Sequence, residues 1–292
     1  MNSIISKITS FFKQKLNDFA IGLKMMKISF SVILHDKKII IVPLITSIIG
    51  TAFFALYSFL ILTAMNKHKG AITFPLFSFI LISYLFFLFF VNSILCAFNN
   101  ISVCVYFSNA FDKNPIGIGK SIRESLKNIT IVIKWAIVDA AINVILVLLK
   151  GKDKNNQTTG FFGTILGVSW KVATLFVVPI MAFEKIGIFA TIKQSMSLVK
   201  NTFGQSVTGM VGFGFLGHII LSLPAIIFIL LGKHENNVDL VITLSIIAFY
   251  FLITLPIWST AKTIFKTAIY NFAVGKATGP FEENDIQASF KK

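Results

Sequence analysis

Charge is what this chain has least of, and acidic charge above all. Asp and Glu number 12 against 27 Lys and Arg, and charged residues make up 13% of 292 positions. A soluble domain carries about 25% charged residues on a surface that must face water. Half that supply, beside 55% hydrophobic residues and 32 Phe, excludes a surface wetted all round. Cysteine is nearly absent too: Cys96 and Cys104 stand eight positions apart, about 12 Å along a helix, too far to bond each other. They read as reduced, lipid-facing or packed small residues, which excludes a disulfide scaffold. Arg123 is the only arginine, which argues against an Arg-rich mitochondrial presequence. His35, His68, His218 and His234 lack metal-ligand spacing. No serine sits in a nucleophile elbow and no paired carboxylates share an exposed face. The sequence therefore predicts no catalytic residue, no cofactor and no metal.

What is present is long uncharged runs. Those of about 18 residues or more read as membrane-spanning helices, because a backbone crossing lipid must satisfy its own hydrogen bonds. Six spans are expected, over 39–65, 71–110, 129–149, 161–183, 205–231 and 240–261. The second run, at 40 residues, would make a helix of about 60 Å against a hydrocarbon core of about 30 Å. It must tilt, kink or project, and Asn99-Asn100 marks the expected change. An even number of spans puts both termini on one side. That side carries 20 Lys and Arg against 6 on the other, so both termini are expected in the cytoplasm, in a multi-pass protein of the cytoplasmic (inner) membrane. The net charge of +15 follows from lysines set between apolar runs. Without any nucleic-acid-binding motif, it predicts no nucleic acid and anionic phospholipid headgroups as partners.

Three segments resemble one another. Ile21-Gly22-Leu23, Ile116-Gly117-Ile118 and Ile186-Gly187-Ile188 open them, and Ile122–Leu126 matches Ile192–Met196 closely. Each is amphipathic at helical spacing. In the third, Phe189, Ile192, Met196 and Val199 form the apolar stripe; in the second, Ile118, Ile122, Leu126 and Ile129 do. The expected fold is all-α, with six transmembrane helices arranged as three parallel repeats of an interfacial amphipathic helix plus a transmembrane hairpin. By position these are an interfacial segment over 1–38, with an anchor face at Ile4, Ile5, Ile8, Phe11 and Phe12, and a transmembrane domain over 39–264. Interfacial helices fall near 115–128 and 186–203, and 265–292 is a cytoplasmic tail. Mitochondrial carriers also have six spans in three repeats, but nothing like their proline-led acid and base signature follows Pro43, Pro179 or Pro256.

Charges inside spans are few. Asp139 and Lys171 lie at similar depth on antiparallel neighbours, about 15 Å from the outer boundary. An unpaired charge there costs at least about 2.5–3.5 kcal/mol, so an ion pair is expected, with Asn143 one turn away and Trp170 needing a partner for its N–H. Two readings stay open: a proton, ion or substrate site, or a buried pair fixing helix register. Gly212-Phe213-Gly214-Phe215-Leu216-Gly217 has the letters of a dinucleotide loop but no preceding strand. It reads, with Gly204 and Gly209, as close helix packing.

Trp170-Lys171-Val172-Ala173-Thr174-Leu175-Phe176-Val177-Val178-Pro179, followed by Phe183-Glu184 and an amphipathic helix carrying Ser195, resembles an uncharacterised bacterial and archaeal family of integral membrane proteins. Tyr106-Phe107-Ser108-Asn109-Ala110 is similar to the aromatic-Asn-Ala segment of that family. The resemblance covers most of the chain, implies a prokaryotic cytoplasmic membrane, and brings no activity, substrate or cofactor. The expected function is non-catalytic, with lipid or another hydrophobic molecule bound between helices. A small transporter using Asp139 and Lys171, or a membrane scaffold for a protein partner, are the alternatives.

Overall fold

The structure, a computed structural model, describes residues 20, 23–67, 73–151, 157–200, 221–230, 237–282 and 286. All regular structure among these is helical. In chain order, α1 covers 23–35 and a 3-10 turn, Lys37–Ile40, leads into α2 (Ile41–Lys67). Then come α3 (Phe74–Phe111), α4 (Ile118–Lys127), α5 (Ile129–Gly151), α6 (Gln157–Ala173), α7 (Val177–Phe183) and α8 (Ile188–Leu198). The last two are α9 (Leu221–Leu230) and α10 (Asn237–Ala273). Five stretches among the described residues are long and apolar enough to cross a membrane: Lys37–Lys67, Pro75–Phe111, Ile129–Lys150, Phe162–Phe183 and Val241–Ala273. No more than 39% of any such window is buried by protein. Monomeric soluble proteins rarely expose contiguous apolar patches above a few hundred Å², so hydrocarbon is the solvent that suits these faces. The protein is an all-helical, multi-pass membrane protein.

Of the fifth expected span, the described part is Leu221–Leu230. The Gly204–Gly217 run, His218, the 4–12 anchor face and Ile21-Gly22 lie outside the described residues. The expected change at Asn99-Asn100 does not occur: α3 is unbroken over 38 residues. Asn99 is held in the helix by its side-chain amide, which donates to the Thr46 hydroxyl on α2. The helix is about 57 Å long, against a hydrocarbon core of about 30 Å. The fourth span, expected as one run over 161–183, is two helices separated by a turn at 174–176. Pro179 stands in the first turn of α7, where a missing N–H costs nothing. The last helix runs past the expected end at 261 to Ala273.

The chain divides into two compact units: Met1–Leu44, Tyr106–Ile118 and Leu198–Lys292 in one, Ile45–Val105 and Gly119–Ser197 in the other. In the first, Tyr106 donates to Asp36, and Phe30 packs on Trp258 with ring centroids 5.7 Å apart. Residues 265–292, expected as a cytoplasmic tail, are partly folded back. Asn271 bonds Ser108 at 3.2 Å and the Ala277 carbonyl at 2.8 Å. Gly275 and Gly279, both at positive φ, turn the chain, and Phe281, 2% exposed, sits between Phe111 and Phe265. In the second unit, α2 and α3 are zipped by Phe53, Tyr57, Tyr84 and Phe87, with Ser58 and Tyr84 hydroxyls 2.8 Å apart. The α5–α6 hairpin closes on Gly163 and Gly167, both buried. A methyl built on Gly163 would come 3.1 Å from Lys150 Cγ, the close approach that a G-x-x-x-G face permits.

Candidate functional site

The second unit holds the polar centre. Asp139 lies ten residues into α5, about 15 Å along it. Ser93 Oγ on α3 donates to Asp139 Oδ2 at 2.9 Å, and Trp170 Nε1 on α6 donates to Oδ1 at 3.2 Å. Asn143 Nδ2 donates to the Asp139 carbonyl at 2.7 Å. The Trp170 ring stacks on Trp135 of α5, centroids 5.8 Å apart and 9° from parallel. Three helices thus converge on one carboxylate, and three of the four expected residues meet.

Lys171 does not join them. Among the described residues no ion pair links it to Asp139, and its side chain is exposed. Adjacent helical positions diverge by about 100°; with Trp170 aimed at Asp139, Lys171 must aim elsewhere. The expected ion pair is replaced by two neutral donors. Lys171→Met should therefore change stability by less than about 0.5 kcal/mol. Asp139→Ala, which strips buried Ser93 and half-buried Trp170 of their acceptor, should cost about 1–3 kcal/mol in thermal unfolding. Equal losses would restore the ion pair.

Below this centre, the turn at 174–176 is repaired by a side chain. Ser195 of α8, fully buried, accepts from Phe176 N–H at 3.0 Å and donates to the Ala173 carbonyl at 2.7 Å. Thr174 Oγ1 donates to the Trp170 carbonyl at 2.7 Å. Freed backbone groups in spans are commonly satisfied by such hydroxyls. The run from Trp170 to Pro179 thereby has a physical reading: an indole for Asp139, then a helix break closed by one serine. Sequence reasoning missed the break because its partner stands 19 residues beyond Phe176.

Sequence reasoning also missed a groove of about 570 Å³. Tyr57 of α2, Ile82, Ser83, Phe86 and Phe87 of α3, and Ala141, Val144 and Ile145 of α5 line it. Ser93 is six residues from Phe87 and Asp139 five from Val144, so along both helices the polar centre is less than about 10 Å from the groove. Its signal was faint: small Ala141 facing a run of bulky aromatics. No group of three or more His, Cys, Asp or Glu among the described residues could hold a metal.

None of the curated proteins matches the chain. A family model does, over residues 70–281, which takes in α3 to α10 and with them Asp139, Trp170 and Ser195. The chain belongs to that family of unknown function, DUF6159.

Proposed function

We propose that this is a non-catalytic membrane protein that holds a lipid acyl chain, or a hydrophobic molecule of similar girth, between α2, α3 and α5. The groove carries the reading. Its volume of about 570 Å³ falls within the roughly 300–1,000 Å³ of small-molecule sites. Among its lining residues only Tyr57 and Ser83 have polar side chains, a composition suited to hydrocarbon. A phospholipid carrying a photoactivatable acyl chain should label peptides containing Phe86 or Val144 in preference to the other spans. Uniform labelling of every span would reduce the groove to ordinary lipid-facing surface.

The finer architecture belongs to the same proposal. The protein has six spans with both termini cytoplasmic, in the cytoplasmic membrane, built as three repeats. Burial supports the repeat once the first copy is shifted by one residue. Lys27-x-Ser29-Phe30, Arg123-x-Ser125-Leu126 and Lys193-x-Ser195-Met196 then align, and all three serines are fully buried. In each copy an exposed base precedes the serine by two positions. A transporter is the second reading, supported by Asp139, a carboxylate at mid-span depth with only neutral donors around it. It requires proton or cation movement that Asp139→Asn abolishes in proteoliposomes.

A further inference from the structure

The helices α4 and α8 present a face that none of the described residues covers. Their inward sides carry small hydroxyls: Ser121 and Ser125 on α4, Thr191 and Ser195 on α8, each 0% exposed. Ser125 bonds Ser102 of α3 at 2.7 Å, and Ser195 closes the break in the fourth span. Because hydroxyls occupy the protein side, the large apolar residues are turned out. Leu126 is 53% exposed, Met196 52% and Phe189 78%. Of the expected apolar stripe, Phe189 and Met196 face outward and Val199 is buried, while Ile188, Thr191 and Ser195 make the protein side of α8.

Bases flank the outward apolar residues. Lys120, Arg123, Lys127, Lys185 and Lys193 are all exposed. The two acids among them are engaged: Lys127 donates to Glu124 at 2.7 Å, and Gln194 reaches both oxygens of Glu184. The Glu124 carboxyl is held below the usual carboxylate range, first by the Lys127 hydrogen bond and also by the charges of Lys120 and Lys185. Lys185 precedes α8 while Lys120 stands on α4, so bases from two elements bear on the same carboxylate.

We propose that the outward faces of α4 and α8 form a binding surface for anionic phospholipid, with headgroups on the bases and Leu126, Phe189 and Met196 set at the acyl boundary. Apolar side chains alternating with bases suit a leaflet surface; an acidic protein would satisfy the charges and leave Phe189 in water. Each base near an anionic surface is worth about 1 kcal/mol, or roughly fivefold in affinity.

The test is competition between phosphatidylglycerol and phosphatidylcholine for the whole protein, read by native mass spectrometry from mixed-lipid nanodiscs. Wild type should retain phosphatidylglycerol preferentially. The triple variant Arg123→Gln, Lys185→Gln, Lys193→Gln should lose at least tenfold of that preference, and it should melt like wild type in pure phosphatidylcholine. Phe189→Ser with Met196→Ser should weaken retention of both lipids without restoring equality. An unchanged preference in the triple variant overturns the proposal. So does a preference that survives there yet vanishes in Ala141→Trp, since that places selectivity in the groove. Groove occupancy is read by Ala141→Trp alone, so either claim can fail without the other.

Discussion

Replacing Ser195 with alanine should lower the thermal stability of the detergent-solubilised protein by about 1–3 kcal/mol. One hydroxyl serves two backbone groups at a helix break here, the buried Phe176 N–H and the half-buried Ala173 carbonyl. Alanine strips the acceptor from the first and the donor from the second, and no solvent reaches Phe176, which is 0% exposed. Ser125 is the comparison. It is as fully buried as Ser195, but its partners are the Ser102 hydroxyl and its own helix carbonyl at Ser121. Ser102 also bonds the Phe98 carbonyl at 3.1 Å, so Ser125→Ala leaves it satisfied and should cost only about 0.5–1.5 kcal/mol. Equal losses at the two positions would mean that the break is held by packing alone.

Adding a single methyl at Gly279 should do at least as much damage. Gly279 has φ +65, and a Cβ there would lie 2.2 Å from Phe111 Cδ1 and 2.6 Å from Cε1. The backbone conformation alone costs an L-residue about 1–2 kcal/mol. The Phe111 ring cannot swing away freely, being 8% exposed and in contact with Phe107 and Phe281, and overpacking adds about 1–3 kcal/mol. Gly279→Ala should therefore expel Phe281 from its seat and open the segment after Ala273 to protease. Gly275→Ala makes the control, since it too has positive φ but meets nothing within 4 Å. It should show the backbone cost alone. Matching protease sensitivity in the two variants would show that the Phe111 contact is immaterial.

The sequence was most readable where a physical constraint acts on long stretches. Uncharged runs located the described spans, because hydrocarbon tolerates few charges over 20 residues. Helical depth brought Asp139 and Trp170 together, because rise per residue is fixed. Rotation about the helix axis was harder. Lys171 was paired with Asp139 on depth alone, although its neighbour Trp170 already claimed that direction. Rotation also decides α8, where Thr191 and Ser195 face the protein while Phe189 and Met196 of the apolar stripe face outward. Hydropathy cannot tell a side chain buried in protein from one set against lipid.

Contacts between distant elements were the least legible. Nothing local to 174–176 announces that its missing bonds are made by Ser195. The folded-back C-terminal segment had a local signal, Gly275 and Gly279-Pro280 after an apolar helix, from which no fold was read. The Gly163 and Gly167 pair was overlooked for denser glycines at 204–217.

The groove between α2, α3 and α5 is the claim on which the functional account turns, and Ala141→Trp addresses it directly. Indole at position 141 would fill space now lined by Phe86, Phe87 and Val144 without touching the donors to Asp139. The measurement is native mass spectrometry of wild type and Ala141→Trp after identical delipidation in mild detergent. Wild type should keep one lipid or hydrophobic adduct that the variant lacks, with both proteins folded. A wild-type mass free of adduct, or an adduct equally retained by Ala141→Trp, would contradict the account.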